Sequence, residues 1–301
     1  MSRSSIGKHV LATCEVLWKV LQPVELPKPT EQQWISMAKR FGSLWDYPFA
    51  VGAIDGKHIA LVNPSNSGSM YYNYKGFPSI VLMALSDADS CFTIVDCGQY
   101  GRVSDAGVYQ ASQISQLLQE NRLNIPEDNV IVSTSDHYIP YVIVGDEAFP
   151  LKSYLMRPFA ARTLDRHRRI YNYRHSRARR TVECTFGILA RKFEIFQRPM
   201  RLQPDKAVTV TNAATVLHNF IRRRDGHMTD HTSTVQYETD DRPKGDGMLP
   251  LARHQRGGRT GEAMAVRDRI TDFFNDPDGS VDWQDQHVFR NVVISDDEND
   301  N

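Results

Sequence analysis

A short apolar run near the middle of the chain constrains the fold more than any other stretch. The residues Val142, Ile143 and Val144 are followed at once by Gly145 and Asp146, so a hydrophobic segment ends abruptly at an acid. Neighbouring side chains of a strand point to opposite faces, and a strand that is apolar on both faces belongs to a parallel or mixed sheet covered by helices. Ligands of such sheets bind beyond the carboxyl ends of the strands. The run therefore predicts a buried strand that brings the Asp146 carboxylate to a ligand site.

Two further acids lie where they can join Asp146 at one site. Asp55 follows the apolar segment 49–54, and Glu183 lies inside the helical stretch 180–196. Carboxylates held close together repel one another unless a cation lies between them, and Mg²⁺ or Mn²⁺ favours carboxylate oxygens. The three acids therefore form a hypothetical metal site contributed by two strands and one helix. The alternative is that each is an ordinary surface residue, as most acids are.

Small residues share the predicted helical face of Glu183. Gly187 and Ala190 follow it by four and seven residues, which places all three on one side of a helix. Small side chains there would let the helix approach the sheet, so that Glu183 could reach a metal ion. An equally good interpretation is that they are ordinary helix-packing positions.

The pattern of apolar segments predicts an α/β fold in which a mixed sheet is flanked by helices. Three antiparallel strands come first, with residues 87–90 as the turn between the second and the third. A helix then returns the chain across the sheet to a parallel strand, and two long helices follow. This order is that of the ribonuclease H-like fold. The predicted elements are strands at 45–62, 79–87, 91–97 and 141–146, a helix from Asp105 capped by Ser104, and helices at about 165–198 and 205–224.

The amino-terminal residues predict two helices before the first strand. Apolar residues recur at helical spacing after Ser4 or Ser5, and this helix is predicted to end before Pro23. Thr30 and Gln33 form a capping box that begins the second helix.

The carboxyl-terminal residues have a weaker pattern. Residues 229–259 are too polar to bury an apolar core, and one short helix is predicted at 262–274. We therefore divide the chain into a helical segment at 1–45, a central α/β domain at 46–225 and a mostly disordered tail at 226–301.

Basic residues concentrate in one stretch although the whole chain is neutral. Its 36 Lys and Arg residues balance 36 Asp and Glu residues, so the net charge indicates no polyanionic partner. Between Arg157 and Arg201, however, thirteen basic residues face three acids. The arginine fork suits phosphate oxygens, and such a local excess is typical of a nucleic-acid surface. A solvated helix face with ion pairs is the weaker alternative, because few acids lie nearby in the sequence.

Four motifs follow one another in the order found in one transposase family. They are VGAIDGKHI at 51–59, YYNYKG at 71–76, VGDEAFPL at 144–151, and RARRTVE at 177–183 followed by FGIL at 186–189. With these motifs the chain resembles the PIF/Harbinger transposases, a group of DDE superfamily endonucleases that includes transposase-derived nucleases of vertebrates. The resemblance covers about residues 1–225. It implies a ribonuclease H-like nuclease domain at 46–225.

The resemblance implies catalytic roles for particular residues. Asp55, Asp146 and Glu183 match the first, second and third catalytic acids of the family and would hold two divalent metal ions, Mg²⁺ or Mn²⁺. Such ions support cleavage of DNA phosphodiester bonds and, in transposases, strand transfer. The alternative is a catalytically silent protein that keeps the fold as a DNA- or protein-binding scaffold. The presence of all three acids favours chemistry.

Residues near the matched acids are the predicted DNA contacts. Cations contact backbone phosphates, and aromatic rings stack on bases. A regular strand places only one of Lys57 and His58 on the face of Asp55, and the tyrosines near Lys75 could instead pack a loop. The predicted DNA-binding residues are Lys57, His58, Tyr74, Lys75, Arg177, Arg179 and Arg180.

Partners and location are also implied by the resemblance. The family often works with a Myb-like DNA-binding protein that brings the nuclease into the nucleus. We therefore expect DNA, a Myb-like partner and further copies of the chain as partners, and the nucleus as the location, with the cytoplasm second. Residues 1–45 resemble a remnant of a helix-turn-helix region, which favours dependence on a partner. No run of about eighteen apolar residues occurs, so no membrane is expected.

Overall fold

A mixed sheet lies between two layers of helices. The computed structural model describes residues 3–65, 67–103, 105–126, 130–131, 138–225, 248–250 and 261–289. The helices are α1 (Arg3–Glu25), α2 (Glu31–Trp45), α3 (Asp105–Ala111), α4 (Gln113–Gln119), α5 (Arg166–Lys192), α6 (Pro204–Arg224), α7 (Gly261–Asn275) and α8 (Gln284–Val288). The strands are β1 (Ala50–Ala60), β2 (Ser79–Ser86), β3 (Phe92–Tyr100), β4 (Val130–Ile131), β5 (Tyr138–Ile139), β6 (Val142–Val144), β7 (Leu155–Met156) and β8 (Met248–Pro250). In this described part of the chain, no helix is long and apolar enough to cross a membrane.

The central sheet has the strand order β3-β2-β1-β6-β7, and β8 pairs with β1. The first three strands are antiparallel neighbours, whereas β6 is parallel to β1 and β7 is parallel to β6. The turn between β2 and β3 is closed by the Asp87 N–H, which donates to the Cys91 carbonyl. Three antiparallel strands followed by parallel ones confirm the predicted α/β, ribonuclease H-like arrangement.

Both faces of the sheet are buried, as the apolar strands require. All three residues of β6 are fully buried. Successive residues of β1 alternate between two cores, because side chains of a strand alternate between its faces. Ala53 and Ile59 pack in the layer that contains α5, α6 and α7, while Val51 and Ile54 pack in the layer that contains α2, α3 and α4.

The helix α1 runs through Pro23, so the prediction that it ends before this proline is wrong. Proline removes a helical hydrogen bond, but here the helix has only two more residues to complete. Its last turn is also held from outside, because the buried Glu25 forms ion pairs with Arg223 and Arg224 of α6 at 2.9 and 2.8 Å. The capping box at Thr30 is confirmed and begins α2.

The crossover from β3 to β6 contains two short helices where one was predicted. Ser112 causes the break, because its side chain accepts a hydrogen bond from the Ser115 N–H at 3.1 Å and thereby caps α4. A serine that bonds to nearby backbone offers the chain an alternative to a continuous helix. Ser104, the predicted cap of the first helix, lies outside the described residues. Further along, α5 ends at Lys192 and is followed by a 3-10 helix (Glu194–Gln197) instead of continuing to residue 198.

Residues 261–289 pack into the core, where a mostly disordered tail was expected. The predicted helix at 262–274 corresponds to α7. It buries Ala263, Val266, Ile270 and Phe274, which recur at helical spacing and face the core shared with α5. This apolar stripe is the reason that the segment folds. The remaining residues beyond 225, apart from β8, lie outside the described part, so the domain boundaries stay a prediction.

Candidate metal centre

Asp55 lies in β1, and Asp146 lies two residues beyond the end of the neighbouring strand β6. The parallel register pairs Ala53 of β1 with Val144 of β6, and each aspartate follows its paired residue by two positions. Side chains two residues apart point to the same face, and neighbouring strands lie about 5 Å apart. The pairing therefore brings the turn that carries Asp146 close to Asp55, which lies inside β1 because this strand continues to Ala60.

Hydrogen bonds fix the backbone around Asp146. Its Oδ1 accepts a bond from the Ala148 N–H at 2.9 Å, which holds the turn after β6. One residue earlier, the Gly145 carbonyl lies 2.8 Å from Nε2 of His175. A carbonyl oxygen only accepts, so Nε2 donates and carries the ring's proton. Burial lowers the pKa of His175 to about 3, which keeps the ring neutral. His175 thereby joins α5 to the strand end that carries Asp146.

One face of α5 carries His175, Arg179 and Glu183 at successive turns. Nη1 of Arg179 donates to Oε1 of Glu183 at 2.6 Å, and these side chains are 19% and 43% exposed. Burial by itself would lower the pKa of Arg179. The negative charges of Glu183, Asp55 and Asp146 outweigh that effect and raise this pKa. Arg179 therefore lies within the combined electrostatic field of all three acids.

A second cation lies beside Asp55. Nζ of Lys57 is 3.3 Å from Oδ2 of Asp55, and the two side chains are only 16% and 10% exposed. The same ammonium lies 5.6 Å from the ring centroid of Phe186 on α5. Three acids and two cations, Lys57 and Arg179, thus share one region between β1 and α5. The two cations offset most of the repulsion among the carboxylates.

The donor set fits a hard divalent cation, although the acids are not gathered into a metal cluster. Three carboxylates supply the oxygen ligands that Mg²⁺ and Mn²⁺ favour, and the guanidinium of Arg179 shows that their region accommodates positive charge. Within the described residues, no three His, Cys, Asp or Glu side chains lie close enough to hold a metal ion. Glu183 is bonded to Arg179 instead. A metal ion held by all three acids would require Glu183 to leave Arg179.

The small residues near Glu183 do not account for its position. A Cβ atom at Gly187 would meet no atom within 4 Å, so this glycine neither permits a close approach to the sheet nor fills a packing position. Both interpretations of Gly187 are therefore wrong. Ala190 is buried in the core, as a packing position would be, and larger residues such as Val182 and Phe186 make the apolar contact of α5 there.

His58, Tyr74 and Lys75 form a separate group on the opposite face of β1 from Asp55. His58 is buried, and its Nδ1 lies 2.9 Å from Oγ of Ser79. Burial and then the charge of Lys75 lower the pKa of His58 to about 4. The exposed Tyr74 ring packs 6.0 Å from the His58 ring, with Nζ of Lys75 5.6 Å from the Tyr74 centroid. The structure therefore does not bring these three residues to the acids.

Many arginines of the basic stretch form ion pairs and hydrogen bonds with other residues of the protein. Nη2 of Arg177 lies 3.1 Å from Oδ2 of Asp46, and its guanidinium stacks 4.2 Å from the Trp283 ring. Arg174 is buried and donates to the Asp46 carbonyl. Arg180, by contrast, is exposed. The inference that too few acids are available to pair is wrong, because the partners come from distant parts of the chain. Further internal contacts join Arg157 to the carbonyls of Glu147 and Phe149, and Arg166 to Asp285.

The sequence matches the model of one protein family. The model for "DDE superfamily endonuclease" matches residues 54–219, more than half of the chain. The chain belongs to the DDE superfamily endonucleases. The match spans Asp55, Asp146 and Glu183, and it ends before α7.

Two relatives of this DDE endonuclease confirm the resemblance to Harbinger-derived proteins. The protein named "Putative nuclease HARBI1" from Rattus norvegicus is 25% identical over 223 residues, which cover 73% of this chain and 59% of the relative. "Protein ALP1-like" from Arabidopsis thaliana is 25% identical over 228 residues, which cover 72% of this chain and 55% of the relative. The chain thus spans less than two thirds of the length of these curated relatives. No solved structure matches it.

His175 is the site residue of this DDE endonuclease that sequence reasoning missed. The sequence did place His175 on the helical face of Glu183, because His175 precedes Arg179 by one helical turn and Glu183 by two. The acceptor was not apparent, since Gly145 lies 30 residues away and meets His175 only in the fold. Lys57 was predicted to contact phosphate, and the structure gives it an ion pair with Asp55.

Proposed function

We propose that this DDE endonuclease is a divalent-metal-dependent DNA nuclease of transposase origin, in which Asp55, Asp146 and Glu183 hold the metal ions. The observation that carries the proposal is the parallel pairing of β1, which contains Asp55, with β6, which leads into Asp146, together with the bond from Arg179 to Glu183 on α5. Membership of the family and the name of one relative support it. The family's further reaction, strand transfer, is part of the proposal.

The proposed cofactor is a pair of Mg²⁺ or Mn²⁺ ions, which when bound supply Lewis acidity and lower the pKa of a water molecule. The protein's own residues then differ in their tasks. Asp55 offers oxygen ligands from β1, Asp146 offers them from the turn after β6, and Glu183 offers one from a partly exposed position on α5. Lys57, beside Asp55, is placed to neutralise a phosphate group that approaches this acid.

We further propose that DNA is held mainly through its backbone. Arg180 is exposed on α5, and Tyr74 and Lys75 are exposed in the connection between β1 and β2. Exposed cations bind phosphates whatever the base sequence, so these residues give affinity without choosing a site. Site choice and delivery to the nucleus are assigned in this proposal to a Myb-like DNA-binding partner.

The test is a nicking assay on supercoiled DNA with Asp55→Asn, Asp146→Asn and Glu183→Gln. Each replacement removes a charge and keeps nearly the same shape, so we expect folded proteins whose nicking rate falls by about a hundredfold or more. Glu147→Gln is the matched control, because Glu147 is an exposed acid beside Asp146, and it should keep full activity. Nicking that survives chelation of divalent ions, or full activity in any one of the three variants, would contradict the proposal.

A catalytically silent scaffold is the second candidate, and the position of Arg179 favours it. An internal cation can stabilise the three acids without any metal ion. A scaffold would bind duplex DNA equally well with and without a chelator and would nick it in neither Mg²⁺ nor Mn²⁺. That combination of results would replace the nuclease proposal with the scaffold.

A further inference from the structure

Arg179 has a position quite unlike that of the next residue in the chain. It donates to Glu183 at 2.6 Å, a typical distance for a charge-assisted hydrogen bond, and its side chain is only 19% exposed. Arg180 is exposed to solvent. The two arginines carry the same charge on the same helix, but only Arg179 is turned toward the acids of the sheet.

A guanidinium withdrawn from water to this extent needs negative charge around it. Removing a cation from water costs several kcal/mol unless it is paired. Glu183 supplies one such charge through its hydrogen bond, and α5 packs against β1, which contains Asp55, and bonds through His175 to the residue before Asp146. The stabilisation is mutual, because three neighbouring carboxylates also need a cation between them. Arg179 and the three acids therefore depend on one another.

A divalent cation would compete with Arg179 for the same carboxylates. Oε1 of Glu183 accepts from the guanidinium, and a positive group at that point repels a metal ion. This competition is consistent with the described residues, where no three acids lie close enough to hold a metal ion. Lys57 stays with Asp55 and offsets only part of the remaining charge.

We propose that Arg179 is a displaceable counter-cation. In the metal-free protein it positions Glu183 and neutralises Asp55 and Asp146. It withdraws when a divalent cation binds these carboxylates. The inference rests on the proposed function. Arg179 is a positioning residue in this scheme, and it sets the metal concentration at which the site fills. Withdrawal requires only side-chain rotation, because the ion pair joins residues one turn apart on α5 and Glu183 is 43% exposed.

The test measures Mn²⁺ binding by the full chain in the absence of DNA. Arg179→Gln removes the competing charge and keeps a polar side chain beside Glu183. We expect the Mn²⁺ affinity, measured by isothermal titration calorimetry, to rise on the order of tenfold, because one positive charge close to the metal has been removed. Without metal, the variant should melt at a lower temperature than the wild type. Mn²⁺ should raise the melting temperature of the variant by more than that of the wild type.

Two further variants separate the role of Arg179 from a general charge effect. Arg180→Gln makes the same change of charge at an exposed neighbour and should leave the Mn²⁺ affinity within about twofold of the wild type. Arg179→Lys keeps the charge but loses the planar fork, so it should give an affinity between those of the wild type and Arg179→Gln. If Arg179→Gln does not fold, tighter Mn²⁺ binding by Arg179→Lys than by the wild type is the required result.

The outcomes distinguish this inference from the proposed function. If the wild type binds Mn²⁺ through Asp55 and Arg179→Gln binds it no more tightly, the inference is overturned and the proposed function stands. If only Arg179→Gln binds Mn²⁺, the counter-cation is supported and the wild type is metal-free under those conditions. If neither protein binds Mn²⁺, both the inference and the metal-dependent function are overturned.

Discussion

The buried His175 offers a direct test of how the fold positions the second acid. Its side chain is almost inaccessible, at 1% exposure, and its Nε2–H donates to the Gly145 carbonyl across 2.8 Å. Its ring stacks on Tyr171 with centroids 5.5 Å apart and meets the edge of Tyr47 at 6.2 Å. His175→Ala removes both the donor and the ring. His175→Gln keeps an N–H donor, so the two variants separate the hydrogen bond from the ring contacts.

We expect His175→Ala to lower the free energy of unfolding by about 3–5 kcal/mol, the range for loss of a large buried ring. About 1–3 kcal/mol of this comes from the Gly145 carbonyl, which would stay buried without its donor. The rest comes from the cavity and from the lost ring contacts with Tyr171 and Tyr47. His175→Gln keeps the hydrogen bond and much of the volume, so its cost should be about 1–2 kcal/mol.

Urea denaturation at neutral pH measures both stabilities, and Mn²⁺ titration of the folded variants measures the effect on the site. If His175 positions Asp146, His175→Ala should weaken Mn²⁺ binding and His175→Gln should restore most of it. A loss of less than about 1 kcal/mol in His175→Ala would refute the dependence of the Gly145 carbonyl on this donor. Equal Mn²⁺ affinities in all three proteins would show that the turn at Asp146 holds this acid unaided.

Two further predictions concern stability. Burial lowers the pKa of His58, His175 and His218 to about 4, 3 and 4, so these rings stay neutral in the fold while the unfolded chain takes up protons below about pH 6.5. Burial raises the pKa of Asp87 to about 6, so the folded protein takes up one proton there that the unfolded chain does not, which offsets one of the three histidines. The free energy of unfolding should therefore be greatest above pH 6.5 and should fall towards pH 4, by about 3 kcal/mol per pH unit near pH 5. A urea midpoint that stays constant between pH 6.5 and pH 4 would contradict this prediction. Phe274→Ala should lower the free energy of unfolding by about 3–5 kcal/mol, because this fully buried ring of α7 lies in the main core. A loss below about 1 kcal/mol would show that residues 261–289 do not stabilise the core.

The sheet, with the strand that contains Asp55 and the strand that precedes Asp146, was predictable because it follows from short-range patterns. An apolar run without alternation identified β6 as a strand buried on both faces. Alternation along β1 likewise separated Lys57, on the face of Asp55, from His58 on the other face. Neither conclusion requires knowledge of the tertiary partners, since strand faces and strand ends are set by residues one or two positions apart.

The environment of the arginines was not predictable, because it depends on residues that are distant in the sequence. A count of nearby acids in the sequence measures only the pairs that one helix can form with itself. Arg177 instead finds Asp46 at the end of α2 and Trp283 near the carboxyl terminus, and both are brought to α5 by the fold. The continuation of α1 through Pro23 has a similar cause, because partners on α6 hold its last turn through Glu25.

The three acids are held by different means, and this difference indicates where the site adapts to a ligand. Asp55 is fixed by the register of β1, which cannot shift without breaking its backbone pairing, and Asp146 is held in the turn after β6, where it accepts from the Ala148 N–H. The helix α5 is also fixed two turns before Glu183, because His175 bonds to the Gly145 carbonyl and the adjacent Arg174 donates to the carbonyls of Asp46 and Gly279. Glu183 itself is held by a side-chain ion pair at a partly exposed position, and such pairs contribute little stability. Adjustment therefore costs least at Glu183, so the proposed exchange of Arg179 for a divalent cation would leave the sheet and the helix in place.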